Sequence, residues 1–375
     1  TKFFIFLLFI LPCSQLWSQQ IGVANLKCQY QEFPLGVDDA APRLSWQLSA
    51  SQSNVMQSAY RILVADNELL LQQNTGNVWD SKKIVSDQSI QVAYAGKRLY
   101  SGKVYYWKVM VWDNGNNASE WSNSSAWQMG LLNREDWKGA QWIAYDKLPD
   151  SLRIVPGIHG MGDPKWGAGK NMLPLFRKAL MINKPVKRAT AYIAGLGHFD
   201  VSINGKKVGD HFLDAGWTQY SKSALYVTFD VTGQLRSGEN ALGVMLGNGF
   251  YYTPRERYRK ITIAYGYPKM ICRVAIEYAD GTIENIVSDD KWKTASGPIT
   301  FSSIYGGEDY DANLEQTGWN TSSFDDQLWK GALIVDGPLT LNAQTATPLK
   351  ILDSFSVKKI SQPKPDIWVY DFGQN

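Results

Sequence analysis

The sequence predicts an all-β protein built of two β-sandwich modules in series, followed by the opening of a third β-segment. Three observations carry this. Beyond the amino-terminal segment no stretch of helical period has convincing length, whereas runs of alternating apolar and polar residues recur along the chain. Gly, Asn and Asp interrupt those runs at short intervals, as turns between strands require. The 375 residues are 44% hydrophobic and 19% charged, enough apolar material for two or three cores and too much for a disordered polar chain.

The elements follow in order. Lys2 precedes an unbroken apolar run from Phe3 to Leu11, with small residues at Ser14 and Ser18. This is the pattern of a secretory signal peptide over residues 1–18, with Gln19 or Gln20 opening the mature chain. The run is about half the roughly 20 residues that a membrane-spanning helix needs. Ile10-Leu11-Pro12 is a poor match to the motif before a lipid-modified cysteine, which argues against lipidation at Cys13. The expected location is therefore secreted or periplasmic, with no membrane contact after cleavage. Cys28 and Cys272 then remain, expected as two separate buried thiols.

Residues 19–132 read as the first module. Leu44, Trp46 and Leu48 alternate inward on one strand, Tyr60 to Ala65 forms another, and Val104 to Trp112 a third. Leu99 followed by Tyr105 has the spacing of the tyrosine corner of fibronectin type III sandwiches. Asp113-Asn114-Gly115 is a turn, and Glu120-Trp121-Ser122 leads into the last strand, which ends near Met129-Gly130.

A second module spans residues 133–337. Arg188 to Ile203 reads as a strand pair that turns at Asn204-Gly205, the strongest short hairpin signal. Ala224 to Val231 is a strand, Gly238-Glu239-Asn240 a turn, Ala241 to Leu246 a buried strand, and Met270 to Tyr278 a strand turning at Asp280-Gly281. So many strands suit a jelly-roll sandwich. Pro156 to Leu173, rich in Gly and Pro, reads as an exposed insertion loop. Residues 338–375 are expected to begin a further β-domain and are too short to close a core.

Several runs resemble one known family. Ala191-Tyr192-Ile193-Ala194-Gly195-Leu196-Gly197-His198-Phe199, Ile203-Asn204-Gly205, Gly216-Trp217-Thr218-Gln219-Tyr220 and Leu246-Gly247-Asn248-Gly249-Phe250-Tyr251 are similar to the amino-terminal sandwich of bacterial α-L-rhamnosidases, glycoside hydrolase family 78. Ile304-Tyr305-Gly306-Gly307-Glu308-Asp309-Tyr310-Asp311-Ala312 and Gly318-Trp319 continue the match, and Tyr370-Asp371-Phe372-Gly373-Gln374-Asn375 resembles the start of that family's next β-domain. The block with Trp46, Trp107 and Trp121 resembles the family's leading domain. The resemblance implies a fibronectin type III-like module, then a jelly-roll (galactose-binding-like) module. In that family an (α/α)6 barrel follows, where one acidic group protonates the leaving oxygen and a second activates water with inversion. Such a pair stands roughly 6.5–9.5 Å apart. No repeated amphipathic helices lie before Asn375. The resemblance thus implies the amino-terminal part of a longer enzyme, inactive alone, with no catalytic residue in this chain and the absent domains as its partner. A stand-alone carbohydrate-binding or adhesion module is the alternative.

Within the chain, two groups are candidate sites. Asp200, Asn204, Asp214 and Trp217 cluster around one hairpin and the loop after it. A sugar site combines an aromatic face with polar groups for hydroxyls, so these are the candidate carbohydrate-binding residues, for a rhamnose-containing glycan. Yet Asn204 is also explained by its turn, and Trp217 by capping the sandwich. Glu308, Asp309 and Asp311 are the candidate metal ligands, since hard cations prefer carboxylate oxygen and family jelly-rolls can hold Ca²⁺. A polar loop whose carboxylates accept backbone hydrogen bonds explains them equally, and no cofactor is required. Tyr251-Tyr252 with Arg255, Arg257 and Arg259 reads as an edge loop or a surface meeting the catalytic domain. With 38 Lys+Arg against 35 Asp+Glu, the excess is too small for a nucleic-acid-reading face. Three His without ligand spacing argue against zinc, and no G-x-S-x-G elbow supports a serine hydrolase. The 15 Trp should mark mostly sandwich cores, with Trp217 and Trp166 as the sugar-facing exceptions.

Overall fold

The computed structural model describes residues 21–155, 173–253 and 263–374. Residues 1–18, read above as a signal peptide and including Cys13, most of the expected insertion loop with Trp166, and Arg255, Arg257 and Arg259 therefore lie outside the described residues. The chain divides into two compact units at Met129 and Gly130.

The first unit is a β-sandwich. One sheet has three strands in the order Gly22–Cys28, Arg43–Ser49, Val92–Ala93. The other runs Trp79–Asp80, Gln57–Ala65, Val104–Asp113, Ser125–Gln128, with Ile84–Val85 also on Gln57–Ala65. Strand alternation puts every second side chain inward, and the large aromatics fill the space. Trp46, Trp107 and Trp127 are at most 2% exposed. Trp46 donates its indole N–H to the buried Gln57 Oε1 at 2.9 Å, which satisfies both polar groups inside an apolar core. The tyrosine corner forms: the buried Tyr105 hydroxyl accepts from the Tyr100 N–H at 3.0 Å. Leu48 departs from its expected inward position: it is 38% exposed, in the exposed last three residues of its strand. Asp113 closes its turn by accepting from the Gly115 and Asn117 N–H groups, each at 2.8 Å. Cys28 is a free, buried thiol in this unit.

In the second unit two sheets face each other. One is ordered Lys206–Lys207, His198–Ile203, Gly238–Gly247, Pro174–Ile182, Lys293–Ser296, Lys330–Gly331. The other is ordered Leu333–Ile334, Ile143–Ala144, Lys269–Tyr278, Val186–Leu196, Ser223–Asp230, Thr340–Ala343, with Ile283–Val287 on Lys269–Tyr278. The long strands from Pro174–Ile182 to Lys269–Tyr278 alternate between the sheets, and Phe176, Ile193, Phe199, Val244, Cys272 and Trp292 pack between them. The expected strand pair within 188–203 is corrected here. Val186–Leu196 and His198–Ile203 do not pair; they lie in opposite sheets and the chain crosses at Gly197. Gly197 has φ +96°, and a Cβ there would stand 2.0 Å from the Gly247 carbonyl oxygen, so only glycine allows this crossing.

Asn204-Gly205 forms the expected hairpin turn, with both residues at positive φ and strand Lys206–Lys207 pairing back on His198–Ile203. Gly238-Glu239-Asn240 is not a turn but opens strand Gly238–Gly247. Its Asn240 is fully buried and bonds back to the Arg236 and Gly238 carbonyls at 2.7 and 2.9 Å. Strand pairing also runs past the expected boundary at 337: Thr340–Ala343 adds in parallel to Ser223–Asp230, and Leu349–Lys350 pairs with His211–Phe212. Beyond them lies a hairpin of Lys359–Lys364 with Ile367–Asp371. Among the described residues no helix is long and apolar enough to cross a membrane.

Candidate carbohydrate-contact site

Trp217 stands on the loop between strands His211–Phe212 and Ser223–Asp230. Polar contacts hold that loop from below. The Phe199 N–H donates to the Asp214 carbonyl at 2.8 Å, tying the loop to the sheet. The Asp214 carboxylate is buried and meets His211 Nδ1 at 3.0 Å and Gln344 Nε2 at 3.3 Å. Burial pushes its pKa up, while His211 and Gln344 pull the other way. Gln344 Oε1 also accepts from the Gly216 N–H at 2.8 Å, and the Thr218 hydroxyl donates to the Ser223 carbonyl at 2.6 Å. Asp214 is thus a loop support.

Gripped on both sides, the loop projects Trp217 outward at 63% exposure. Its ring lies flat on Phe250, with centroids 4.4 Å apart and planes 3° apart. Phe250 in turn meets Tyr305 edge-on at 6.5 Å. One indole face is supported and the other open, the arrangement that presents a rigid apolar plane to the C–H face of a pyranose. Phe250 follows Gly249, and Tyr305 follows Ile304; both predecessors line a neighbouring cavity of about 480 Å³. His198, Asp200, Asn248, Ser302 and Glu308 bring polar groups to its wall. His198 Nδ1 is buried without a hydrogen-bond partner, and burial lowers its pKa, so the ring is neutral near pH 7. Asp200 pairs with Lys207, whose ammonium sits 4.8 Å from the Phe212 ring centroid.

The structure therefore redistributes the residues singled out from sequence. Asp200 faces this cavity, Trp217 stands on the adjoining aromatic wall, and Asp214 supports the loop. Asn204 is committed elsewhere: its amide donates to Asn240 Oδ1 and the Gln234 carbonyl, and accepts from the Ala241 N–H, at 2.8 to 3.0 Å. The acidic run is not brought together. Glu308 lines the cavity, and Asp309, the next residue of strand Gly307–Tyr310, points to the opposite face. Asp311 caps the short helix Ala312–Leu314, accepting from the Asn313 N–H and amide at 2.9 Å. Among the described residues no three His, Cys, Asp or Glu side chains could together hold a metal ion. Tyr251 and Tyr252, read as an edge loop, are buried at 4% and 2% exposure. Sequence reasoning missed Phe250 and Tyr305 as partners of Trp217. Both lie in the quoted motifs, but nothing in the linear order signals that three separate loops converge.

Comparison with known proteins places both units. Residues 23–133 match the family model described as the Rha78A-like, N-terminal immunoglobulin domain, and residues 184–353 match the α-L-rhamnosidase N-terminal domain. The chain carries the amino-terminal domains of the α-L-rhamnosidase family. An α-L-rhamnosidase of Formosa agariphila is 37% identical over 349 residues, covering 91% of this chain and 37% of that protein. One from Alteromonas sp. (strain LOR) is 36% identical over 348 residues, covering 91% and 36%. Among solved structures, the α-L-rhamnosidase from Dictyoglumus thermophilum superposes with TM-score 0.80 at 39% identity, over 94% of this chain and 38% of that one. The Streptomyces avermitilis α-L-rhamnosidase, solved in complex with L-rhamnose, gives TM-score 0.81 at 26% identity, over 95% and 49%. The chain thus spans between a third and a half of the length of these rhamnosidases.

Proposed function

We propose that this chain forms the amino-terminal, non-catalytic modules of an exported α-L-rhamnosidase, which removes terminal L-rhamnose from glycans or glycosides. The observation that carries this is the order of two modules, each matching an amino-terminal rhamnosidase domain, in a chain spanning less than half of its relatives. The hydrolytic carboxylate pair belongs to the remainder of the longer protein, and these modules hold and shape that part. Their role requires no cofactor and no nucleic acid. Export rests on Lys2 and the apolar run Phe3 to Leu11. Incubation of the purified chain with an aryl α-L-rhamnoside should give no turnover, while a longer protein extended through the downstream region should cleave it. Enzyme-like rates from this chain alone would overturn the assignment.

The exposed Trp217–Phe250 stack favours a second reading, direct binding of the rhamnose-containing glycan. Calorimetry with L-rhamnose discriminates the two: micromolar binding lost in Trp217→Ala supports a carbohydrate-binding module, and silence supports a scaffold.

A further inference from the structure

On the side of the second unit where strand Lys269–Tyr278 begins lies another cavity, of about 710 Å³, within the usual size range of small-molecule sites. Its wall is tyrosine. Tyr251 and Tyr265 stack at 5.7 Å and 14°, and Tyr220 stands edge-on to both at 5.4 and 5.6 Å. Burial pushes the Tyr220 phenol up to about 12 and the Tyr251 phenol higher, so both hydroxyls stay neutral. Two cations converge on this wall. Lys269 Nζ donates to the Asp336 carbonyl at 2.7 Å and lies 5.8 Å from the Tyr251 ring centroid. An ammonium has three donors, and no carboxylate among the described residues forms an ion pair with this one. Arg153 donates Nε–H to the Tyr265 carbonyl at 3.1 Å, and its Nη1 is 3.7 Å from Asp150.

Lys147, Arg153 and Lys222 line the cavity with Lys269, against Asp146, Asp150 and Asp336, and this excess of cations makes an anion the complementary ligand. Burial, and then repulsion from Arg153 and Lys147, lower its pKa to about 8, and only the Asp336 carboxylate acts in the opposite direction. An anion entering the cavity would relieve this repulsion and take the remaining ammonium donors, forming charge-assisted hydrogen bonds. The tyrosine wall adds an apolar surface of the kind that receives a sugar ring. We propose that the cavity bounded by Tyr220, Tyr251, Tyr265, Arg153 and Lys269 binds an acidic saccharide, holding its anionic group between Lys269 and Arg153.

Calorimetry on the full chain with D-glucuronate, D-galactose 6-sulfate, inorganic sulfate and D-glucose tests this. At least one acidic sugar should bind saturably and D-glucose should not; glucuronate alone identifies a carboxylate, and the sulfated sugar alone a sulfate ester. Lys269→Met and Arg153→Gln should each weaken binding by about tenfold or more, the loss of one charge-assisted hydrogen bond. Arg153 is partly exposed, so its variant keeps the fold even where Lys269→Met does not. Trp217→Ala should leave this binding unchanged, which separates the site from the Trp217 platform. Affinity should fall as pH rises from about 7 to about 9, because Lys269, with its pKa lowered to about 8, loses its proton there. Binding of inorganic sulfate without either acidic sugar, equal binding of D-glucose, or unchanged affinity in both variants would overturn the proposal.

Discussion

Arg177 lies in the middle of strand Pro174–Ile182 with its side chain only 1% exposed. Its guanidinium meets Asp326 Oδ2 at 2.9 Å and donates to the Thr321 carbonyl at 2.7 Å and the Phe324 carbonyl at 3.2 Å. One buried cation thereby pins the irregular segment after Trp319 against the sheet. Removing one member of a buried charge network typically costs about 3–5 kcal/mol, since the other polar groups are left without partners. Arg177→Ala should lower unfolding stability by roughly that amount in urea denaturation. Asp326→Asn should cost less, because Asp326 is 26% exposed and water can solvate what remains. A loss below that of an ordinary surface substitution in Arg177→Ala would show that the segment is held by apolar packing alone. Local sequence does not signal this role of Asp326, because its partner lies 149 residues earlier in the chain. The two thiols were readable from type alone. Cys28 and Cys272 are both buried, and burial pushes the Cys272 thiol up to about 12, leaving it un-ionised and unreactive.

At the scale of elements, period-two alternation located most long strands, because burial of one strand face is written directly into local sequence. It could not say which sheet each strand joins. Arg188 to Ile203 shows why: the alternation continues through the crossing at Gly197, where the chain leaves one sheet for the other. Gly238-Glu239-Asn240 carried turn chemistry, yet its asparagine is used inside the fold to bond neighbouring carbonyls. The terminal hairpin turns its apolar side chains outward. Ile360, Trp368 and Tyr370 are 55%, 57% and 54% exposed, on strands whose edges are also uncovered. Exposed apolar strand edges promote association. Replacing Trp368 and Tyr370 together by lysine should therefore shift sedimentation-velocity profiles of the concentrated chain toward monomer. Identical profiles for the two proteins would count against the hairpin as the associating element.

For the whole molecule, the two units each have their own core, and the break falls where the last strand of the first sandwich ends. The first unit has the size of an autonomous sandwich and a core of interlocked aromatics around Trp46, Trp107 and Trp127. Expressed alone up to Gly130, it should unfold in urea as a single cooperative transition with native-like near-ultraviolet circular dichroism. A broad, non-cooperative transition would mean that its core depends on the rest of the chain. The sequence by itself determined the all-β class, the succession of two sandwiches and the rhamnosidase relationship, because strand periodicity, turn residues and motif order are local properties. Trp217 was set apart in sequence as a sugar-facing exception, and it projects at 63% exposure, whereas the burial of Tyr251 and Tyr252, read as an edge loop, was decided only by the tertiary structure. The same holds for the Trp217–Phe250–Tyr305 wall and for the Lys269 cavity. Each is assembled from loops far apart along the chain, and burial, stacking and charge repulsion depend on what those loops bring together in space.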